Sequence, residues 1–390
     1  MTDIYYTMFA LLRFSLGIDK EFDCRLSAEQ WQSLYAEAER QALRGVLYDG
    51  VSRLTQPSAA PPLQLAMKWA RNRETVRGLN ELFNREAARL TQIFESQGYK
   101  TAILKGQANA RLYPIPDSRQ PGDIDIWVDG GRQAIEEMLG KLGMMEGAET
   151  KELHHINLPK SMTAVPVEVH NLPSHGNINR RTNQRLQAWL KELLDKGAVM
   201  CPEGFRSPSI LFAMTMQLAH ISQHLLAEGV GMRQVVDYYM LLRAASPDER
   251  KQVAGMLKPI GLYHMAEALM WVLAETMHIE EELMLTRPHQ RRGQWMLNRI
   301  IDGGNLGRFA SSQETGLWQV FMQQRRHHWE LIKFNPSEGM GLLRFDMDLL
   351  LDLLSTIPER IRRRKLRLDG HYIEWYRQWE RQHNQNLWET

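Results

Sequence analysis

The chain has 390 residues, 43% hydrophobic and 24% charged, with 48 Lys plus Arg against 46 Asp plus Glu and a formal net charge of +2. This composition argues against a chain disordered throughout and against a whole-chain polyanion binder, while leaving room for a local basic patch. At about 150 residues per domain, two or three domains are expected. The two cysteines, Cys24 and Cys201, are too few for a disulfide scaffold or a four-cysteine zinc site. Met1-Thr2-Asp3 supplies no basic region ahead of an apolar stretch that Arg13 interrupts, so no secretory signal is expected. The most apolar later windows, near 210–226 and 261–279, are broken by His, Gln and Glu, so no transmembrane helix is expected. A reducing cytoplasm is the simplest compartment.

In chain order, residues 1–97 read as a helical region. Ser27, with Gln30 three residues later, forms a capping-box signature. Trp31, Leu34, Tyr35 and Ala38 follow at helical spacing. QPSAAPP (56–62) is a turn or short linker, and a long helical pattern then runs from about Leu63 to Gln97, with Gly98 as its stop. The texture changes at 101. TAILKG, IDIWV (124–128), HHINLP (154–159) and VPVEVH (165–170) read as strands, with a helix over 131–143 between the second and third. From about 180 the chain returns to helical periods, including a helix N-capped at Ser246. The expected fold class is α+β: a small mixed β-sheet core at 98–178, embedded in mainly helical N- and C-terminal regions at 1–97, 179–300 and 301–390.

Three features of this core carry chemistry. In Gly122-Asp123-Ile124-Asp125-Ile126, strand alternation places Asp123 and Asp125 on one face, about 7 Å apart, and the isoleucines on the other. Two acids on one strand repel each other unless a cation lies between them, and such pairs suit Mg²⁺. Taken alone, the pattern fits an acidic solvent face better. Leu104-Lys105-Gly106 ends a strand, and the Gly turn before QANARLY is a geometry that aims backbone N–H groups at an anion. Lys105, Arg111 and Arg119 add positive charge nearby. In Val167-Glu168-Val169-His170, Glu168 and His170 share a face. A strand beside 123–128 would bring Glu168 to the Asp pair.

With Tyr113-Pro114 and Arg119 ahead of Gly122-Asp123-Ile124-Asp125, and Glu168 with His170 downstream, the segment resembles the polymerase-β-like nucleotidyltransferases. In detail it is similar to an uncharacterised nucleotidyltransferase family often found near bacterial surface-polysaccharide genes. The likeness extends to His220, His224, Arg233 and Asp237, and to Gly-Gly-Asn within 302–307. It implies a metal-dependent enzyme moving an NMP from an NTP, ATP being one candidate, to an acceptor hydroxyl or phosphate with release of pyrophosphate. Asp123, Asp125 and Glu168 would be catalytic and hold Mg²⁺ or Mn²⁺. Lys105, Gly106, Arg119 and Gly122 would bind the nucleotide, and His170, His220, His224, Arg233 and Asp237 would line an acceptor pocket. The family's gene neighbourhood suggests a sugar-containing acceptor; a nucleic-acid partner is not favoured. Gly106-Gln107 departs from the usual Gly-Ser or Gly-Gly turn. That departure keeps open a catalytically silent member binding nucleotide or a partner, beside an enzyme that nucleotidylates protein or RNA.

Several features elsewhere have simpler readings. His220 and His224 share a helix face, but Ile221 stands where a zinc hydrolase would need Glu. They either line the nucleotide or acceptor pocket or are buried histidines bonded to neighbours such as Asp237. No P-loop or dinucleotide fingerprint occurs. The basic run at 360–367 reads as a solvated helix face, with contact to an anionic acceptor, RNA or membrane surface as the weaker reading. The aromatics Tyr372, Trp375, Tyr376, Trp379 and Trp388 read as packing residues.

Overall fold

The computed structural model describes residues 3–56, 59–150, 153–227, 229–304, 329–336 and 338–339, with isolated positions at 343, 347, 351 and 355. The basic run at 360–367, the C-terminal aromatics, residues 305–307 and most of 341–355 lie outside the described residues. Two compact units emerge, Met1–Gly176 with Leu186–Ala310, and Asn177–Arg185 with Ser311–Thr390. In the second, the Glu338 carboxylate accepts hydrogen bonds from the Asn179 backbone N–H (2.8 Å) and the Thr182 hydroxyl (2.7 Å).

The N-terminal helices are α1 (Asp3–Ser15), α2 (Ala28–Arg40), α3 (Arg44–Val51) and α4 (Leu63–Ser96). Ser27 forms the expected capping box with Gln30, and Gly98 follows the end of α4 in the left-handed region at φ +89°. The pattern beginning at Ser27 is two helices rather than one. The break falls at Gln41–Leu43, where Ala42 takes φ +55°, and neither Gly nor Pro announces it. The buried Gln41 side chain explains it. Its amide donates to the Ile300 carbonyl (3.1 Å) and its carbonyl accepts from the Met232 backbone N–H (2.8 Å). Long-range bonds thus override local helix propensity.

The core follows as β1 (Thr101–Ile103), α5 (Gln107–Ala110), β2 (Ile124–Val128), α6 (Gly131–Lys141), β3 (His155–Asn157) and β4 (Val167–His170). The strands make one mixed sheet in the order β1-β2-β4-β3. β2 runs parallel to β4, and β1 and β3 are antiparallel to their neighbours. One sheet face carries Ile124, Ile126, Val128, Val167, Val169 and Ile156, packed against Phe83, Ala87, Leu90 and Phe94 of α4 and Ile135, Met138 and Leu139 of α6. Each such side chain withdrawn from water contributes about 1.5–3 kcal/mol. This buried face fixes the alternation, since a one-residue slip would turn Ile124 and Ile126 to the polar side and Asp123 and Asp125 into the core.

The chain continues through α7 (Arg180–Asp195), a small hairpin of β5 (Val199–Met200) and β6 (Arg206–Ser207), α8 (Ile210–Ala227), α9 (Met232–Ala244), α10 (Pro247–Met256), α11 (Tyr263–Met277) and α12 (Gln290–Gly303). Ser246 caps α10 with a full capping box. α11 packs along α12, and α8 packs on α9. Among the described residues no helix is long and apolar enough to cross a membrane.

Candidate active site

The polar face of the sheet is set by strand register. Asp125 lies directly opposite Glu168 across the parallel β2–β4 pair, and His155 lies opposite His170 across β3–β4. Asp123 precedes β2 and shares the face of Asp125 by alternation. Asp125 is 1% exposed, while Asp123 and Glu168 remain partly open to solvent.

A lysine ammonium reaches both aspartates. Lys105 Nζ is 2.7 Å from Asp125 Oδ2 and 3.5 Å from Asp123 Oδ1. The contact with Asp125 is ionic, and Oδ2 accepts no hydrogen bond of good geometry. On its other oxygen Asp125 meets His170, whose Nε2 lies 3.0 Å from Oδ1 and 3.3 Å from Glu168 Oε2. Burial alone would lift the Asp125 carboxyl, but the Lys105 charge and the His170 hydrogen bond outweigh it and hold its pKa well below the ordinary value. Asp123 moves the other way, raised chiefly by the charge of Asp125 against the opposing pull of Lys105. Burial disfavours the Lys105 ammonium, yet Asp123, Asp125 and Glu168 together raise its pKa. The donor set is hard oxygen, and a protein cation already lies against it. Ligand atoms of Asp125, Glu168 and His170 lie within 4.8 Å of one another, a set that includes two hard oxygen donors; Asp123 shares the face but stands outside that group.

Burial also opposes a charged His170, but its bonds to Asp125 and Glu168 win, and its pKa is pushed up from 6.5 to about 9. A raised folded-state value stabilises the fold fully below the unfolded pKa, and the contribution is lost as pH rises through the folded one. The metal-free protein is thus expected to lose on the order of 3 kcal/mol between about pH 6.5 and pH 9 from this group. His170→Gln should flatten that stretch of the stability–pH curve in urea titrations. An unchanged slope would contradict the assigned bonding.

The Lys105–Gly106 turn has the expected form. Gly106 takes φ +62°, which favours glycine, and an added Cβ would sit 3.4 Å from the Asp123 carbonyl. The helix it starts, α5, is only four residues long, so its dipole is small and the expected helix-terminus contribution is correspondingly weak. Gln107 points away from the carboxylates. Its buried amide donates to Asn84 Oδ1 (2.7 Å) and Asn80 Oδ1 (3.3 Å) of α4. The departure from a Gly-Ser turn is therefore a buttress to the long helix. Asn80 also donates to the carbonyls of Asp117 (3.0 Å) and Arg119 (2.9 Å), tying the loop ahead of Asp123 to the same helix.

Arg119 and Asp237 form a buried bidentate pair, Nε to Oδ1 and Nη2 to Oδ2, both 2.7 Å, and the Tyr113 hydroxyl donates to the same Oδ1 at 2.7 Å. This claims both Asp237 oxygens. The pairing of Asp237 with His220 and His224 weighed from the sequence is therefore replaced by a tie between the Asp-pair loop and α9. His220 and His224 instead stack edge to face with ring centroids 4.2 Å apart. Burial, with the nearby Lys105 charge adding to it, holds His220 well below its ordinary pKa and so neutral. Arg233 lies against Gly122, where an added Cβ would be 3.5 Å from its guanidinium nitrogens. It donates to the Gln120 carbonyl (2.8 Å), while its buried Nε bonds to no described residue. Arg111 is paired with Glu203 at 3.1 Å. Sequence reasoning did not single out His154 and His155, which lie with His170 beside Glu168. The adjacent His-His pair entering a strand was the available signal.

The pairing of a Gly-turn strand, an Asp-x-Asp strand and a registered third carboxylate agrees with the comparison by family. A model described as an uncharacterised nucleotidyltransferase matches residues 27–278, from the capping box of α2 to the end of α11. No curated protein and no solved structure matches the chain. With well over half of its residues matched, the chain belongs to this uncharacterised nucleotidyltransferase family.

Proposed function

We propose that this protein transfers a nucleoside monophosphate from an NTP to an acceptor hydroxyl or phosphate, releasing pyrophosphate. The observation that carries this reading is Asp125 in register with Glu168, with Asp123 on the same face and the Lys105 ammonium against both aspartates. Mg²⁺ or Mn²⁺ held by Asp123, Asp125 and Glu168 would neutralise charge on the phosphate oxygens during in-line displacement at the α-phosphorus.

The chain's own residues do the rest. Lys105 is a preorganised cation that offsets charge developing on the triphosphate. Arg233, with spare donors beside Gly122, is a second one. Gly106 leaves the turn free of a Cβ, so the backbone can approach phosphate oxygens. Glu168, the more exposed partner of Asp125, is the base for the acceptor proton, and His170 fixes its carboxylate. Arg119 positions rather than binds: its charge is committed to Asp237, and the pair anchors the loop leading into Asp123.

Incubation with each α-labelled NTP, Mg²⁺ and bacterial lysate tests the reaction. The expected result is label on a non-nucleotide acceptor with matching pyrophosphate release. A labelled macromolecule would identify the acceptor as protein or RNA. Nucleotide binding without release of pyrophosphate from any NTP would reduce the chain to a nucleotide-binding member of its family.

A further inference from the structure

Beside the carboxylates lies a group of three imidazoles, of which the proposed transfer uses only His170. One ring nitrogen from each of His154, His155 and His170 lies within 4.8 Å of the other two, and all three residues are buried. His155 Nδ1 is 2.8 Å from His154 Nε2 and 3.6 Å from Glu168 Oε2, and that same oxygen is 3.3 Å from His170 Nε2. Ligand atoms on a tetrahedral ion with bonds of about 2.0–2.1 Å are separated by about 3.3 Å. The His154–His155 separation is shorter than that, at hydrogen-bond distance, and the three nitrogens stay within 4.8 Å. The rings of His154 and His155 meet edge to face at 4.3 Å, and His154 also contacts the rings of His170 (5.6 Å) and His175 (4.7 Å).

Packing alone accounts poorly for this arrangement. Buried imidazoles are costly unless their nitrogens are bonded. Yet His170 Nδ1 is buried and bonds to no described residue. Three imidazole nitrogens are borderline-soft donors. They match an ion of the Zn²⁺ class, whereas Asp123 and Asp125 offer only hard oxygen.

We propose that His154, His155 and His170 bind a transition-metal ion of the Zn²⁺ class adjacent to the carboxylate face. An imidazole-rich cation site then lies next to a carboxylate-rich one. The site does not depend on nucleotidyl transfer being the reaction.

Titration of the full chain with Co²⁺, followed by visible spectroscopy, tests the site. The expected result is one equivalent bound with the intense d–d bands of tetrahedral cobalt. His154→Ala and His155→Ala should each weaken binding at least tenfold while keeping the wild-type circular dichroism. His155→Cys should retain cobalt and add a thiolate-to-cobalt charge-transfer band, a signature that a merely structural histidine would not produce. This variant also keeps the test decisive if the alanine variants fail to fold. Weak octahedral bands in the wild type, or binding unchanged in the alanine variants with no new band in His155→Cys, would overturn the proposal. Asp123→Asn separates the two sites. It should leave the cobalt spectrum intact while weakening Mg²⁺-dependent nucleotide binding at least a hundredfold. Cobalt bound without any nucleotide binding in the wild type would sink only the transferase reading, and the reverse would sink only the imidazole site.

Discussion

Asp125→Asn is expected to lower kcat for nucleotidyl transfer by about 10³-fold or more, the scale seen when a preorganised electrostatic group is removed from a reacting centre. The substitution preserves shape and removes one charge. Asp125 is almost fully buried, touches Lys105 on one oxygen and His170 on the other, and lies opposite Glu168. No other described carboxylate can take its position, because Ile124 and Ile126 on either side face the core. Without it, two carboxylates rather than three face Lys105 and His170, so the face holds a divalent cation far less well. Lys105 still has Asp123 at 3.5 Å, so the fold should survive and the loss should appear in kcat and in Mg²⁺ dependence. Asp195→Asn, at an exposed pair with Lys191, is the matching control and should leave the rate unchanged. Activity within tenfold of wild type in Asp125→Asn would refute its assigned role.

The largest effect on stability is expected at the Arg119–Asp237 pair. Asp237→Ala strands a buried guanidinium and the Tyr113 hydroxyl together, and should cost about 3–5 kcal/mol in urea unfolding. Arg119→Met with Asp237→Leu should cost much less than the two single changes added, because neither buried charge is then left alone. The single variant should also impair nucleotide binding, since Arg119 lies in the loop leading to Gly122 and Asp123. A cost below about 1 kcal/mol for Asp237→Ala would show that the pair is not the anchor described.

Much of the core could be read from residue order because its signals are local. Alternation in Ile124–Val128 and Val167–His170 marked two strands and assigned their faces. Ser27 and Ser246 marked helix starts, and Gly98 marked a stop. Other features are set by partners far away in sequence. The parallel pairing of β2 with β4, which brings Glu168 opposite Asp125, depends on how α6 and β3 fill the intervening chain. The break at Ala42 depends on Gln41 reaching Ile300 and Met232. Asp237 looked like a partner for the histidines one helix earlier, yet a bidentate, fully buried guanidinium satisfies a carboxylate better than a neutral imidazole does. Gln107 looked like a lost phosphate contact and is instead a brace against α4. His154 and His155 read only as a strand start, because their meeting with His170 depends on β3 lying beside β4.

The central claim is that the acidic face of β2 and β4 holds a metal–nucleotide complex. Calorimetric titration of the wild type and of Asp123→Asn with each NTP, with and without Mg²⁺, tests it most directly. The account predicts one nucleotide per chain, bound only with Mg²⁺ or Mn²⁺ and weakened at least a hundredfold in Asp123→Asn. Failure of all four nucleotides to bind, or metal-independent binding untouched by Asp123→Asn, would contradict it.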